Sequence, residues 1–205
     1  VNKLKAEGVK FYEVSMPLLP DLNNAVSFPV AIYEAHDDMV AYLLATGSGV
    51  SIEQLANQAA SPDVKGTYQG LVIPRKLPGP NNTVVDVKPA YDAAMKKSRP
   101  ELQALYRRTF NGHGLDGIVF PTVPNVAFKA TPDSSSVAVF MASIQNTDPG
   151  SNAGVPGLQI PIGLGASSKL PVGLEIDGPA GSDRRLLSIG LAIEAVLGPM
   201  PAPAR

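Results

Sequence analysis

Residues 146–163, NTDPGSNAGVPGLQIPIG, constrain the fold more than any other stretch. The first half is built from turn formers: Asn146, Asp148, Pro149, Gly150, Ser151, Asn152, Gly154, Pro156 and Gly157. The second half, Leu158 to Ile162, alternates into an apolar strand. Irregular backbone leading straight into a strand is therefore the expectation. A second strand, LPVGLEIDG (170–178), follows after the connector LGASSK. The segment SDRRLLSIGLAIEAVLG then reads as a helix capped by Ser182 and stopped by Gly198. Two apolar strands and an amphipathic helix in succession must bury their faces on one another, which predicts an α/β chain.

The upstream sequence is richer in helix. NKLKAE reads as helical up to Glu7, with Gly8 as a stop, and Val9, Phe11, Tyr12, Val14 and Met16 predict a strand with period-two apolarity. A helix is expected from about Ser27 to Ala45, with Pro29 in its first turn and Gly47 closing it. Ser51 followed by Gln54 forms a capping-box pattern, and Ser61 followed by Pro62 opens another short helix. Residues 74–83, with three prolines, read as a loop. From Lys88 to about Asn111 the pattern is helical but interrupted by Pro100, giving two helices or one kinked helix, with Ser98 and Glu101 as a second capping pair. GIVFPTV (117–123) predicts a short buried strand, and a helix begun near Ser136 ends in ASIQN.

Composition excludes several classes of function. The 205 residues carry a net charge of −1, which gives no electrostatic footprint for nucleic acid. There is no cysteine, so disulfides, thiolate metal sites and a cysteine nucleophile are ruled out. With only His36 and His113 in the chain, a histidine metal cluster is not expected, and no apolar run is long enough to span a membrane. With no secretory leader, a cytoplasmic location is expected. The chain opens within what reads as a helix and lacks an initiator Met, which suggests a fragment.

The candidate chemistry is sparse. Gly112, Gly114 and Gly117 match GxGxxG, but they follow a helix and precede a strand, the reverse of a dinucleotide site. His36, Asp37 and Asp38 are consecutive on a helix and read as a solvated face. His113 and Asp116 share a turn with no nucleophile beside them, and Ser134 to Ser136 read as a helix N-cap cluster. Ser167, Ser168 and Lys169 invite a Ser–Lys dyad, but adjacent residues at a hairpin tip are wet and diverge. No catalytic, metal or cofactor constellation is found.

Three blocks in order carry more information: LDGIVFPTVP (115–124), NTDPGSNAGVPGLQIPIG (146–163) and LPVGLEIDGPAGSDRRLLSIGLAIE (170–194). Together they resemble the C-terminal part of amidase-signature hydrolases, and the wording of the second block is most similar to the branch that acts on arylacetamides such as mandelamide and indole-3-acetamide. The resemblance implies the C-terminal part of the amidase-signature fold: a mixed β-sheet covered by helices, with a helix-rich first half. The whole chain, 1–205, would be one portion of a single amidase domain, mostly helical over 1–113, with strands, pocket loop and final helix over 114–205. It also implies hydrolysis of a primary amide C–N bond through an acyl-serine, with no cofactor and no metal.

Family members use a Ser–cis-Ser–Lys triad in a Gly/Ser-rich signature, and this sequence contains neither that signature nor its lysine strand. Catalytic residues are thus expected in the N-terminal half of the same polypeptide, which would be the principal partner, and this chain alone is expected to be inactive. Alone, it would expose apolar surface and be poorly soluble. The resemblance further implies that the 146–163 segment and the helix before it line the acyl side of the pocket. Ile144 occupies the place where amidotransferase relatives carry an acidic residue, which favours an apolar or aromatic acyl group in a small-molecule amide. Phe140 and Val137 extend the same stripe, and Thr147 could offer a hydroxyl. A homodimer is compatible with the sequence. An amidotransferase-like subunit and a non-catalytic binding or scaffold module are the alternatives.

Overall fold

The computed structural model describes residues 1–200. In chain order the helices are α1 (Asn2–Ala6), α2 (Leu19–Asn24), α3 (Ser27–Ala45), α4 (Ile52–Gln58), α5 (Pro62–Thr67), α6 (Lys88–Ala93), α7 (Arg99–His113), α8 (Val137–Ile144), α9 (Asp148–Ala153) and α10 (Asp183–Leu197). The strands are β1 (Lys76–Pro78), β2 (Val84–Asp86), β3 (Ile118–Pro121), β4 (Gly157–Leu164) and β5 (Pro171–Asp177). The α/β class and the helix-rich first half follow the sequence reading. The described residues form two compact units, one of residues 1–19, 102–129 and 142–200, the other of residues 20–101 and 130–141.

The first unit is organised by a three-stranded sheet in the order β3–β5–β4, with both ladders antiparallel. Period-two alternation sends Ile160 and Ile176 to one face, where they join Leu4, Leu186 and Ile193 in the core. Val119, Leu158 and Ile189 pack around this cluster, so α10 and α1 cover that face. The predicted strand at Val9–Met16 is not formed. Residues 8–14 and residues 113–119 instead both line a cavity of about 710 Å³, and the segment makes no strand ladder. Period-two apolarity supplies a face to bury, but a strand also needs a neighbour for its backbone groups.

The second unit packs α3 against α4, the π-helical turn Tyr68–Val72 and the β1–β2 hairpin. Ile32, Ile52, Val72 and Val87 are its buried centre. Here the predicted loop 74–83 is corrected: Lys76–Pro78 pairs antiparallel with Val84–Asp86, and Arg75 and Asn81 adopt positive φ at the bends. Of the prolines that suggested a loop, Pro78 ends β1, Pro74 lies in the turn before it and Pro80 opens the short 3-10 turn Pro80–Asn82, so none interrupts the ladder. Ser51 and Gln54 form the predicted capping box, with Gln54 N–H donating to Ser51 Oγ at 3.2 Å and Ser51 N–H to Gln54 Oε1 at 2.9 Å.

Ser98 does not cap a helix. It lies inside a π-helical turn, Ala94–Ser98, that joins α6 to α7 without a break. The wider turn absorbs the missing N–H and the ring of Pro100, so the helix continues where the sequence predicted a restart. Ser61 and Ser182 occupy N-cap positions without capping through their side chains: Ser61 Oγ donates to Asp63 instead, and the buried Ser182 hydroxyl has no partner among the described residues.

Candidate functional site

The face of the sheet turned away from α10 is polar. In register across it lie Gly157, Asp177 and Ile118, then Gln159, Glu175 and Phe120, with Gly173 next along β5. The turn-rich stretch that leads into β4 is not irregular as expected. Residues 148–153 coil into α9, with Pro149 at its start and buried Pro149, Gly150 and Ala153 on its inner side. Each of these turn formers is compatible with a short helix: proline in the first turn, small residues where backbone approaches backbone. Gly154, at φ +72°, ends it in a left-handed cap, so that both Gly154 and Val155 N–H donate to the Gly150 carbonyl. Gln103 Nε2 donates to the Ala153 carbonyl at 3.1 Å and fixes the helix end against α7.

Glu175 and Asp177 are both buried on this polar face. A Cβ built at Gly157 would lie 2.8 Å from Glu175 Oε1 and 3.2 Å from Asp177 Oδ1, and one at Gly150 would lie 2.6 Å from Asp177 Oδ2. The two carboxyl groups therefore nest on bare backbone of β4 and α9. Burial pushes the Asp177 carboxyl up to about 7, the Glu175 charge adds to this, and the Tyr106 hydroxyl, donating to Oδ2 at 3.3 Å, offsets it in part. Burial likewise raises Glu175, and the nearby Thr122 hydroxyl opposes the shift without reaching good hydrogen-bonding geometry. Tyr106 is raised too, first by burial and then by the Asp177 charge.

At the far end of the same sheet lies a cavity of about 630 Å³. It is walled by residues 121–128 after β3, by Ala142 and Ser143 of α8, by Gln159 of β4 and by Pro171 to Gly173 of β5. None of the lining residues is charged. Asn146 Nδ2 donates to the Pro121 carbonyl at 2.8 Å and holds the α8–α9 junction against the end of β3. The three sequence blocks singled out above thus converge on one uncharged cavity.

The four residues singled out as substrate-facing lie elsewhere on these elements. Val137 and Phe140 are exposed on the first turns of α8, Ile144 is half-buried in its last turn, and the Thr147 hydroxyl donates to the Ile144 carbonyl at 3.3 Å. None of the four is among the residues lining the cavity. Gln159 and Thr122, which do line it, were not picked out from the sequence; the only signals were the in/out alternation of β4 for Gln159 and the position of Thr122 just after β3.

Several of the remaining candidates have structural partners. Ser168 Oγ accepts from Leu170 N–H in the β4–β5 turn, with Lys169 at positive φ. Asp116 pairs with Arg185, and Ser136 Oγ accepts from Val139 N–H at 3.3 Å at the start of α8. Gly114, at φ +57°, closes α7. His36 and Asp37 meet Arg75, so this patch of α3 is an ion-paired surface. Among the described residues no group of three potential ligands could hold a metal, and no helix is long and apolar enough to cross a membrane.

The profile of the family described as Amidase matches residues 1–187. The chain belongs to the amidase family. It is similar to mandelamide hydrolase of Pseudomonas putida, 41% identical over 205 residues, covering all of this chain and 40% of that protein. It is also similar to an indoleacetamide hydrolase of Agrobacterium vitis, 39% identical over 203 residues, covering 96% of this chain and 41% of that protein. The chain therefore spans about two fifths of the length of these amidase relatives. The solved peptide amidase from Stenotrophomonas maltophilia superposes with a TM-score of 0.66 at 21% identity, over 96% of this chain and 38% of that one, a likeness of fold.

Proposed function

We propose that this chain is the C-terminal portion of an amidase that hydrolyses the C–N bond of an arylacetamide, mandelamide or a close analogue, to the carboxylic acid and ammonia. The observation that carries the reading is the cavity of about 630 Å³, apolar over most of its wall and free of charged residues, where the three family segments meet. Such a site suits a neutral aryl acyl group and disfavours an ammonium or carboxylate handle, because a charge there would be desolvated with no counter-charge. The names of the relatives point to the same substrates.

In this reading the chain supplies scaffold and acyl pocket. The nucleophile, its proton-transfer partners and the oxyanion donors come from the part of the polypeptide that the relatives have and this chain does not span. Val137, Phe140, Ile144 and Thr147 lie outside this cavity, and their proposed contact with the acyl group would be made together with the part of the polypeptide that this chain does not span.

Ammonia release from phenylacetamide and mandelamide is the test. Turnover by a polypeptide carrying the upstream Ser/Gly-rich segment, with none by residues 1–205 alone, is the expected result. Turnover by residues 1–205 alone would return Ser168 and Lys169 to consideration. Absence of turnover of any arylacetamide by the longer polypeptide would reject the substrate class.

A further inference from the structure

One buried hydroxyl in the cavity wall lacks a well-formed hydrogen bond. Thr122 follows β3, its N–H donates to the Gly173 carbonyl at 3.2 Å, and its Oγ1 is buried with no hydrogen-bond partner among the described residues. The hydroxyl lies near the buried Glu175 carboxyl and favours its charged form without a well-formed bond, so most of its hydrogen-bonding capacity is unspent.

The neighbouring strand supplies a second polar group at the same spot. A Cβ built on Gly173 would lie 2.2 Å from Gln159 Nε2 and 2.8 Å from Thr122 Oγ1. The amide and the hydroxyl therefore converge over the bare backbone of Gly173, in the floor of a cavity whose other walls are mostly apolar. Gln159 is exposed, and its amide makes no hydrogen bond among the described residues. Its side chain is flexible, and a ligand that turns the amide aside would reach both groups.

We infer that Gln159 and Thr122 form the polar subsite of this cavity and read a hydroxyl or ring N–H on an otherwise apolar, neutral aryl ligand. Both side chains can donate and accept, and neither carries charge, so the subsite ranks ligands by one hydrogen-bonding group. Sites of this kind discriminate strongly, because a ligand lacking the group leaves buried polar atoms unpaired. The assignment rests on the arylacetamide reading for its substrates, though not for its geometry.

Mandelamide and phenylacetamide differ by a single hydroxyl and make a matched pair of probes. In the complete polypeptide, Thr122→Val and Gln159→Leu are each expected to lower kcat/KM for mandelamide about tenfold relative to phenylacetamide, as loss of one hydrogen bond requires. The readout is the ratio of the two kcat/KM values, whatever either substitution does to phenylacetamide turnover by itself, and Thr122→Ser should restore that ratio. An unchanged ratio, or an equal fall for both amides, overturns the subsite. If the wild-type protein hydrolyses neither amide, the substrate reading has failed separately, and the subsite is read from binding of the two neutral amides by calorimetry. Preference for the hydroxylated amide that disappears in Thr122→Val supports the subsite, and equal or absent binding of both rejects it.

Discussion

On one side of the β3–β5–β4 sheet, Ile160 and Ile176 meet Leu186 and Ile193 of α10 in a dry apolar layer. On the other side, the same strands hold Glu175 and Asp177 buried against glycine backbone, with Gln159 and Thr122 bordering a cavity. The first face stabilises the unit by removing apolar area from water, at roughly 25 cal/mol per Å². The second works against stability, because it keeps two carboxyl groups out of water with only weak hydroxyl support, from Tyr106 to Asp177 and from Thr122 to Glu175. Proteins retain such arrangements where a site needs polar groups in a fixed place, and the cavity lies on this face.

The contrast can be broken first on the apolar side. Ile176 is 1% exposed, and Ile176→Ala is expected to cost about 3 kcal/mol through lost burial and a residual cavity. A fall of less than about 1 kcal/mol in urea unfolding would mean that this face is not the core.

The opposite sign is expected across the sheet. The folded-state pKa of Asp177, about 7, lies above the ordinary carboxyl value, so the folded form binds the extra proton. The stability this group contributes is complete below about pH 4 and is lost as pH rises through about 7. Asp177→Asn should therefore stabilise the protein at pH 8 by on the order of 2 kcal/mol and have little effect at pH 4. Equal effects at both pH values would show that Asp177 stays ionised.

Tyr106→Phe sharpens the same comparison with a smaller effect. Removing the hydroxyl that donates to Asp177 Oδ2 at 3.3 Å leaves the carboxylate less supported. A loss of about 1 kcal/mol at pH 8 that shrinks at pH 5 is expected from thermal unfolding at the two pH values. A loss independent of pH would assign the hydroxyl to packing alone.

Local patterns carried a good part of the fold. The boundaries of α3, the capping box at Ser51 and Gln54, the 117–123 strand, the hairpin after Gly157 and the final helix are each written in residues within one turn or one strand of the feature. The misreadings share a cause. Pro149, Gly150 and Gly154 read as turn chemistry because the local pattern cannot distinguish a loop from a short helix whose small residues press against buried Asp177. Val9 to Met16 had the alternation of a strand without a strand to pair with, and Pro100 broke a helix only on paper because the π-helical turn before it made room.

The candidate site divides in the same way. The sequence alone determined the family, through three blocks in fixed order, and the elements that those blocks become. The tertiary structure decided which residues of those elements share a cavity: Thr122 and Gln159, from different strands, meet over Gly173, while Glu175 and Asp177 close on glycines of β4 and α9. Such meetings depend on strand register and on the absence of a Cβ on a neighbouring chain segment. Hydrophobic periodicity fixes which face a residue takes, but only pairing and packing fix what it finds there.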